Sequence, residues 1–507
     1  MVSKAFGEQN PTQGETAVSW QTWSDGVGGI PNTTVNIDWG KLSLQTAGAE
    51  GRSAVYDLGS AATRKFTLTE NRYGTGSGVG LLQIRGDTVA FTQDDNAVDW
   101  ETYTAPVSHA WRYVQVRETT FTYYYMDATL GDDAHPGTKV EPWQTVAKVN
   151  ATSFLPGDHI LFKRGETWRN EVVTIAESGT FGHPIYLGCY GSGALPIFDG
   201  SIILGAPTYK WTVSANGTNE YYLELAAGGN PGLTEPKAVQ INNLRSHVGT
   251  MGSLTDHYWD WGNNDTLGFN TVYVRDNSGD PDTSGVVIEG VYQSHGVTLS
   301  GNYITVNGLH ITKYDVTGIY EAGSNQDISY CTIDKLGRGI DTYGGNNKIH
   351  HNTIQDLVWF IDDNVGAQGV DIHSSYNEIY NNTFSNLNTT LRTLGQDGAG
   401  IEVYAPSSTP IVSNLIHHNY FYNCDTFTEF GSLHPHTTIS SIYFYDNLIV
   451  DCGDLIVLHN SSTETYYADT SDIVLENNTF YNDIDYLGVY GAKRDKVLNW
   501  TASPRAG

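Results

Sequence analysis

Long apolar runs, cysteine and positive charge are all scarce in this chain. No 18-residue apolar stretch occurs in its 507 residues, which excludes a membrane-spanning helix. The four cysteines, Cys189, Cys331, Cys424 and Cys452, form no metal or redox spacing. Only 27 Lys and Arg face 56 Asp and Glu, a formal net charge of -29. That field argues against nucleic acid or an anionic membrane as partner, and a free polyanion would need a metal ion or a local cationic cluster to approach. The first residues, MVSKAFGEQNPTQGE, lack the apolar core of a secretory signal. The expectation is either a mature sequence or a chain made in the cytosol and released by another route.

Glycine and tyrosine are abundant instead, at 55 and 32 residues, while charged residues make up 16%. This composition fits a β-rich, turn-rich protein with room for two or three domains. Between Gly296 and Phe480 one short pattern returns seven times: an apolar residue, then Asn or a stand-in three positions on, then Ile, Leu or Phe two positions later. The copies are Val306/Leu309/Ile311, Ile328/Cys331/Ile333, Ile349/Asn352/Ile354, Ile379/Asn382/Phe384, Ile416/Asn419/Phe421, Phe444/Asn447/Ile449 and Leu475/Asn478/Phe480. Their middle positions lie 22, 21, 30, 37, 28 and 31 residues apart. A floor near 21 with ragged excess suits a coil of three short strands whose turns accept insertions. Stacked coils place equivalent residues roughly 4.8 Å apart. Asn at one inward bend can then bond the backbone there and its neighbours above and below.

The repeat resembles the right-handed parallel β-helix proteins, a group that includes pectate lyases, several glycoside hydrolases and phage tailspikes. The expected class is all-β: a right-handed parallel β-helix with an N-terminal capping helix, preceded by a small jelly-roll-like β-sandwich. Residues 1–119 carry that sandwich, read from alternation in Thr34-Val-Asn-Ile-Asp and Trp111-Arg-Tyr-Val-Gln-Val-Arg. The segment Gln83-Ile-Arg-Gly to Trp111 resembles attachment modules of phage and bacterial surface proteins. Residues 120–200 read as the cap and first coils, since Pro142-Trp-Gln-Thr-Val-Ala-Lys-Val-Asn resembles the plugging helix of β-helices. Residues 201–295 form an aromatic-rich insertion, which either lines a sugar groove or covers the coil behind it. Residues 296–490 are the main coils and 491–507 a tail or cap.

Chemistry is expected where outward side chains of neighbouring coils stack. Gly339-Ile-Asp-Thr-Tyr, Gly369-Val-Asp-Ile-His and Gly400-Ile-Glu-Val-Tyr are equivalent strands. With Ile340, Val370 and Ile401 inward, period-2 alternation puts Asp341, Asp371 and Glu402 outward in one row facing solvent, with Tyr343, His373 and Tyr404 beside them. Stacked carboxylates repel, which raises at least one pKa beside an ionised partner. Spacings of about 5 Å between adjacent coils and about 10 Å between alternate ones bracket those of retaining and inverting glycosidases.

Asp371 with Glu402 or Asp397 would serve as the acid and the base or nucleophile, Asp341 completing the row. Arg338, Asp362, Asp363 and Trp359 join the substrate contacts. The competing lyase reading uses Ca2+ held by the same oxygens, with Arg338, Lys348 or Arg392 as base. A third reading is an acidic ladder without catalysis. No metal site is expected at His417, His418, His434 and His436, which read as turn histidines, and no cofactor is required. The expected partner is a polysaccharide or cell-surface glycan met outside the producing cell, by a secreted protein or on a virion. Hydrolysis is favoured over elimination; the alternative is a non-catalytic tailspike or fibre, for which the resemblance implies a homotrimer.

Overall fold

The computed structural model describes residues 121–205, 208–225, 233–262, 270–358, 366–387, 398–458 and 468–481, together with the backbone of Asn388, of Asn499–Trp500 and of strands within 21–120. The chain divides into two compact units. One is Met1–Tyr124 with Phe154–His159 and Thr180–Pro184; the other is Tyr125–Ser153, Ile160–Gly179 and Ile185–Gly507. The first unit has a four-stranded sheet of Gln21–Ser24, Thr34–Asp38, Arg64–Thr69 and Val107–His109. Its second sheet is built on Val79–Asp87 against Tyr113–Phe121. Two sheets are what a sandwich requires; the side chains of residues 1–120, Trp20, Trp23 and Trp39 among them, lie outside the described residues.

The second unit is a solenoid, and three parallel sheets run along it. The first sheet contains Ile304–Asn307, Asp327–Ser329, Lys348–His350, Glu378–Tyr380, Leu415–His417 and Thr437–Tyr445 in that order. The second includes His310–Thr312, Thr332–Asp334, Thr353–Val358, Thr383–Asn388, Tyr420–Tyr422 and Leu448–Val450. The third includes His295–Leu299, Thr317–Glu321, Arg338–Thr342, Val370–Ile372, Ala399–Ala405, Thr426–Ser432 and Asp454–Leu458. Each coil therefore supplies one strand to each sheet. The expected helix, Val146–Asn150, begins at Thr145, whose side chain accepts from Lys148 N–H, and it buries Val146 and Val149. It packs on Val173–Ile175, the first strand of the third sheet.

Stacking of like on like explains the core. Ile311, Ile333, Ile354, Phe384 and Phe421 are fully buried and occupy one register position in the second sheet. The Phe384 and Phe421 rings stack at 4.7 Å. At the bend between the first two sheets, Asn352 N–H and its amide both donate to Asn382 Oδ1 at 3.0 Å, and Asn382 donates likewise to Asn419 Oδ1 at 2.9 and 3.0 Å. Each side-chain amide also reaches back to a carbonyl, as Asn382 does to Ile349 O at 2.8 Å. The ladder continues through Asn447 to Asn478. Sequence reasoning missed a second ladder, Gln326, Asn347, Asn377 and Asn414, linked by 2.8–3.0 Å bonds of the same kind at the bend entering the first sheet. Beside it sits Glu321, fully buried, accepting from the Asn347 amide at 2.7 Å.

The insertion has its own small core. Two antiparallel four-stranded sheets, one containing Ala238–Ile241 and Ile288–Val291 and the other Glu220–Glu224 and Thr271–Arg275, enclose Trp211, Tyr221, Leu223, Val239, Trp259 and Val274. Trp211, Tyr221 and Trp259 fill the insertion's own interior, a role neither of the two expectations for its aromatics gave them. Arg245, its side chain 2% exposed, ties the insertion to the coils by a 2.5 Å ion pair with Asp315.

Candidate active site

The third sheet places the acidic side chains. Ile340, Val370 and Ile401 are in register and fully buried in the core. Their following residues, Asp341, Asp371 and Glu402, therefore stack on the opposite side of the wall. Glycine is required just before them: a Cβ on Gly369 would lie 2.5 Å from Gly400 O and equally close to the Phe384 ring. The bend it permits sends the residue before each glycine outward as well. A second column thus forms from His295, Thr317 and Arg338, continued by Gln368, which precedes Gly369.

Contacts between the two columns are close. Arg338 Nη1 lies 3.4 Å from Asp341 Oδ1 and 3.2 Å from Asp371 Oδ2. The Thr317 hydroxyl donates to Asp341 Oδ2 at 2.7 Å. His373 Nδ1 donates to Tyr404 O at 2.8 Å, and its Nε2 approaches Asp371 Oδ2 at 3.1 Å. Tyr343 stacks on His373 with ring centroids 4.1 Å apart and remains 38% exposed. Ligand atoms of Asp341, Asp371 and His373 all fall within 4.8 Å of one another.

Burial pushes the Asp341 carboxyl above the usual range, and the Asp371 charge adds to this despite Arg338. At His373 burial works against the imidazolium, yet the Asp371 and Asp341 carboxylates outweigh it, so the pKa is raised. Arg338 loses hydration too, and Asp341, Asp371 and Glu402 more than compensate. The cluster thus holds a carboxyl biased toward its neutral form beside Asp371, which the Arg338 guanidinium and the His373 imidazole both approach. Four of its buried polar atoms find no hydrogen-bond partner among the described residues: His295 Nδ1, Arg338 Nε, Gln368 Oε1 and Asp371 Oδ1. Unmet polar groups inside a folded protein cost about 1–3 kcal/mol each. Buried polar groups without a protein partner take one from water or from a bound molecule.

Residues 262–416 match the family model described as right handed beta helix region. The solenoid is a right-handed parallel β-helix. No curated protein sequence matches the chain. Among solved structures, XylC with xylose is similar at 15% identity and TM-score 0.48, over 71% of this chain and 70% of that one. A lacto-N-biosidase from Eubacterium ramulus shares 15% identity at TM-score 0.35, over 71% and 64%. The tailspike of Escherichia coli bacteriophage HK620 with a pentasaccharide shares 9% at TM-score 0.39, over 71% and 51%. Likenesses of that depth carry no statement of activity.

On the β-helix the expected row exists in register, but it does not face solvent. Asp341, Asp371 and Glu402 are 3%, 1% and 8% exposed. Alternation fixes the side of the wall and is silent about how much solvent reaches it. Lys348 is on the first sheet, paired with Glu378 at 3.7 Å, and belongs to a different wall from the row. Trp359, Asp362, Asp363, Arg392 and Asp397 lie outside the described residues. The row also extends further than expected, because Glu429 stacks on Glu402. Its signal was the Thr-Glu-Phe of the next coil. The His295–Gln368 column was legible as the residues preceding Gly296, Gly318, Gly339 and Gly369. Ca2+ takes roughly 6–8 oxygen ligands; among the described residues, two carboxylates meet an imidazole and a guanidinium here.

Proposed function

We propose that this β-helix binds a carbohydrate outside the producing cell, as a secreted or virion-surface protein, and cleaves a glycosidic bond at Asp341 and Asp371. The observation that carries the reading is the pair itself: carboxyl oxygens within 4.8 Å on adjacent coils, one carboxyl pushed toward its neutral form. Retaining glycosidases hold their carboxyls about 5–5.5 Å apart. Asp341 would protonate the leaving oxygen. Asp371, its Oδ2 held by Arg338 and His373, would present the unpartnered Oδ1 to the anomeric carbon. Asp341, deprotonated after bond cleavage, would then take a proton from the water that releases the sugar. Tyr343, with one face on His373, supplies the exposed ring on which a sugar can stack. Glu402 and Tyr404 extend the row by one coil.

A second reading has a specific observation in its favour. Burial of the whole row suits a β-helix that binds glycan without turnover, such as a homotrimeric virion spike, with the ion pairs serving the wall. A panel of polysaccharides incubated with the full chain separates the readings. Release of reducing ends supports hydrolysis, and new ultraviolet absorbance from unsaturated uronates moves the chemistry to a lyase. Binding without release supports the second reading. Silence in all three overturns the carbohydrate assignment.

A further inference from the structure

Two pairs of adjacent histidines stand on the outer face of the first sheet, where His350 and His417 stack on either side of Tyr380, and the carboxylate cluster does not account for them. His350 Nε2 lies 3.2 Å from Asp327 Oδ1, and His350 Nδ1 lies 2.8 Å from His351 Nδ1. Two coils further on, His417 Nε2 lies 3.2 Å from Glu378 Oε1, and its Nδ1 2.9 Å from His418 Nδ1. In both pairs the rings are 84° apart. In both, the second histidine is exposed and has a left-handed backbone, φ 55, which turns its ring back over its neighbour. The repeat does not impose this pairing. The intervening coil carries Tyr380–Asn381 at the same positions and the following coil Tyr445–Asp446.

The carboxylates give the arrangement its chemical meaning. Asp327 and Glu378 accept the Nε2 proton, which leaves the lone pair of His350 and His417 on Nδ1, the tautomer and orientation typical of a metal-binding imidazole. With metal–nitrogen bonds of 2.0–2.1 Å, nitrogens this far apart subtend about 90° at a shared ion. That is the angle between neighbouring ligands of a tetragonal or octahedral ion and too narrow for tetrahedral zinc.

We propose that each pair binds one Cu2+ or Ni2+ ion through its two Nδ1 atoms, with water completing the coordination. Without metal, His351 keeps its proton on Nδ1 and donates it to His350, consistent with Asn381 Nδ2 lying 3.5 Å from His351 Nε2; at the second pair His418 Nε2 instead lies 3.8 Å from Asp446 Oδ2. Metal entry moves that proton to Nε2 or to solvent. The two sites lie about 10 Å apart along the axis, two coil spacings, and bind independently.

Titration of the full chain with Cu2+, followed by calorimetry and by electron paramagnetic resonance, tests this. The expected result is two equivalents per chain with nitrogen ligation. His351→Asn and His418→Asn, which install the residue the intervening coil already carries at this backbone conformation, should each remove one equivalent, and the double variant both. His436→Asn, at a histidine 3.4 Å from Asp469 and outside the pairs, should leave two. Retention of both equivalents by the folded double variant, or no uptake by the wild type, overturns the proposal.

Discussion

At the scale of single residues, burial and the charges and hydrogen bonds around a carboxyl together set its protonation. Glu321 lies inside the solenoid, where burial raises its pKa well above 4.5 in spite of hydrogen bonds from Thr342 and Asn347. Between 4.5 and the folded pKa the folded chain holds a proton that the unfolded chain has released, so stability is full below that window and falls as pH rises through it. Glu321→Gln removes the slope. Its melting temperature should exceed that of the wild type at pH 7 and match it near pH 4; equal melting temperatures at both would contradict the protonated state. Asp341 obeys the same sign within the cluster. If it is the proton donor, turnover should fall as pH rises through its raised pKa, and a rate that keeps climbing into alkaline pH would assign the acid elsewhere.

At the scale of elements, the ladders convert a loose repeat into a fixed register. Truncating Asn382 to Ala leaves the Asn352 N–H and amide without their acceptor and Ile349 O without its donor. The loss should be about 3 kcal/mol, read from the shift in denaturant midpoint at constant slope; a shift below 1 kcal/mol would mean water replaces the side chain. This ladder was legible because Asn recurs between two apolar residues in coil after coil. The parallel one was not, since Gln326, Asn347, Asn377 and Asn414 sit among other polar turn residues with nothing apolar at fixed offsets to frame them. The acidic row was legible for a related reason: Gly-Ile-Asp, Gly-Val-Asp and Gly-Ile-Glu share one pattern. Its burial was hidden, because alternation along a strand fixes the side a residue takes and carries no information on how much solvent reaches it there. Trp211 and Trp259 show the same limit, being compatible with a groove or a core until the antiparallel sheets around them are seen.

At the scale of the whole molecule, the β-helix is a device for lining up chosen residues, one per coil. Inward it aligns isoleucine, phenylalanine and asparagine, which stabilise the stack. Outward, on the third sheet, it aligns Asp341, Asp371, Glu402 and Glu429 beside a column carrying Arg338 and Gln368. On the first sheet it aligns the paired histidines. A net charge of -29 surrounds these sites, so an anionic glycan would bind more weakly as ionic strength falls, whereas a neutral one would be insensitive to salt. Affinities measured at low and moderate salt on the best glycan of the panel would distinguish the two.

The account stands on Asp371 acting through its unpartnered oxygen. The direct measurement compares reducing-end release by the wild type and by Asp371→Asn, both shown to unfold at similar temperatures and to bind the glycan. The variant is expected to lose at least about a thousandfold in kcat with glycan binding retained, since removing a nucleophile raises the barrier by about 4 kcal/mol or more. A variant that turns over within about tenfold of the wild type would contradict the assignment, because a group doing the chemistry cannot be replaced by a neutral amide at so small a cost.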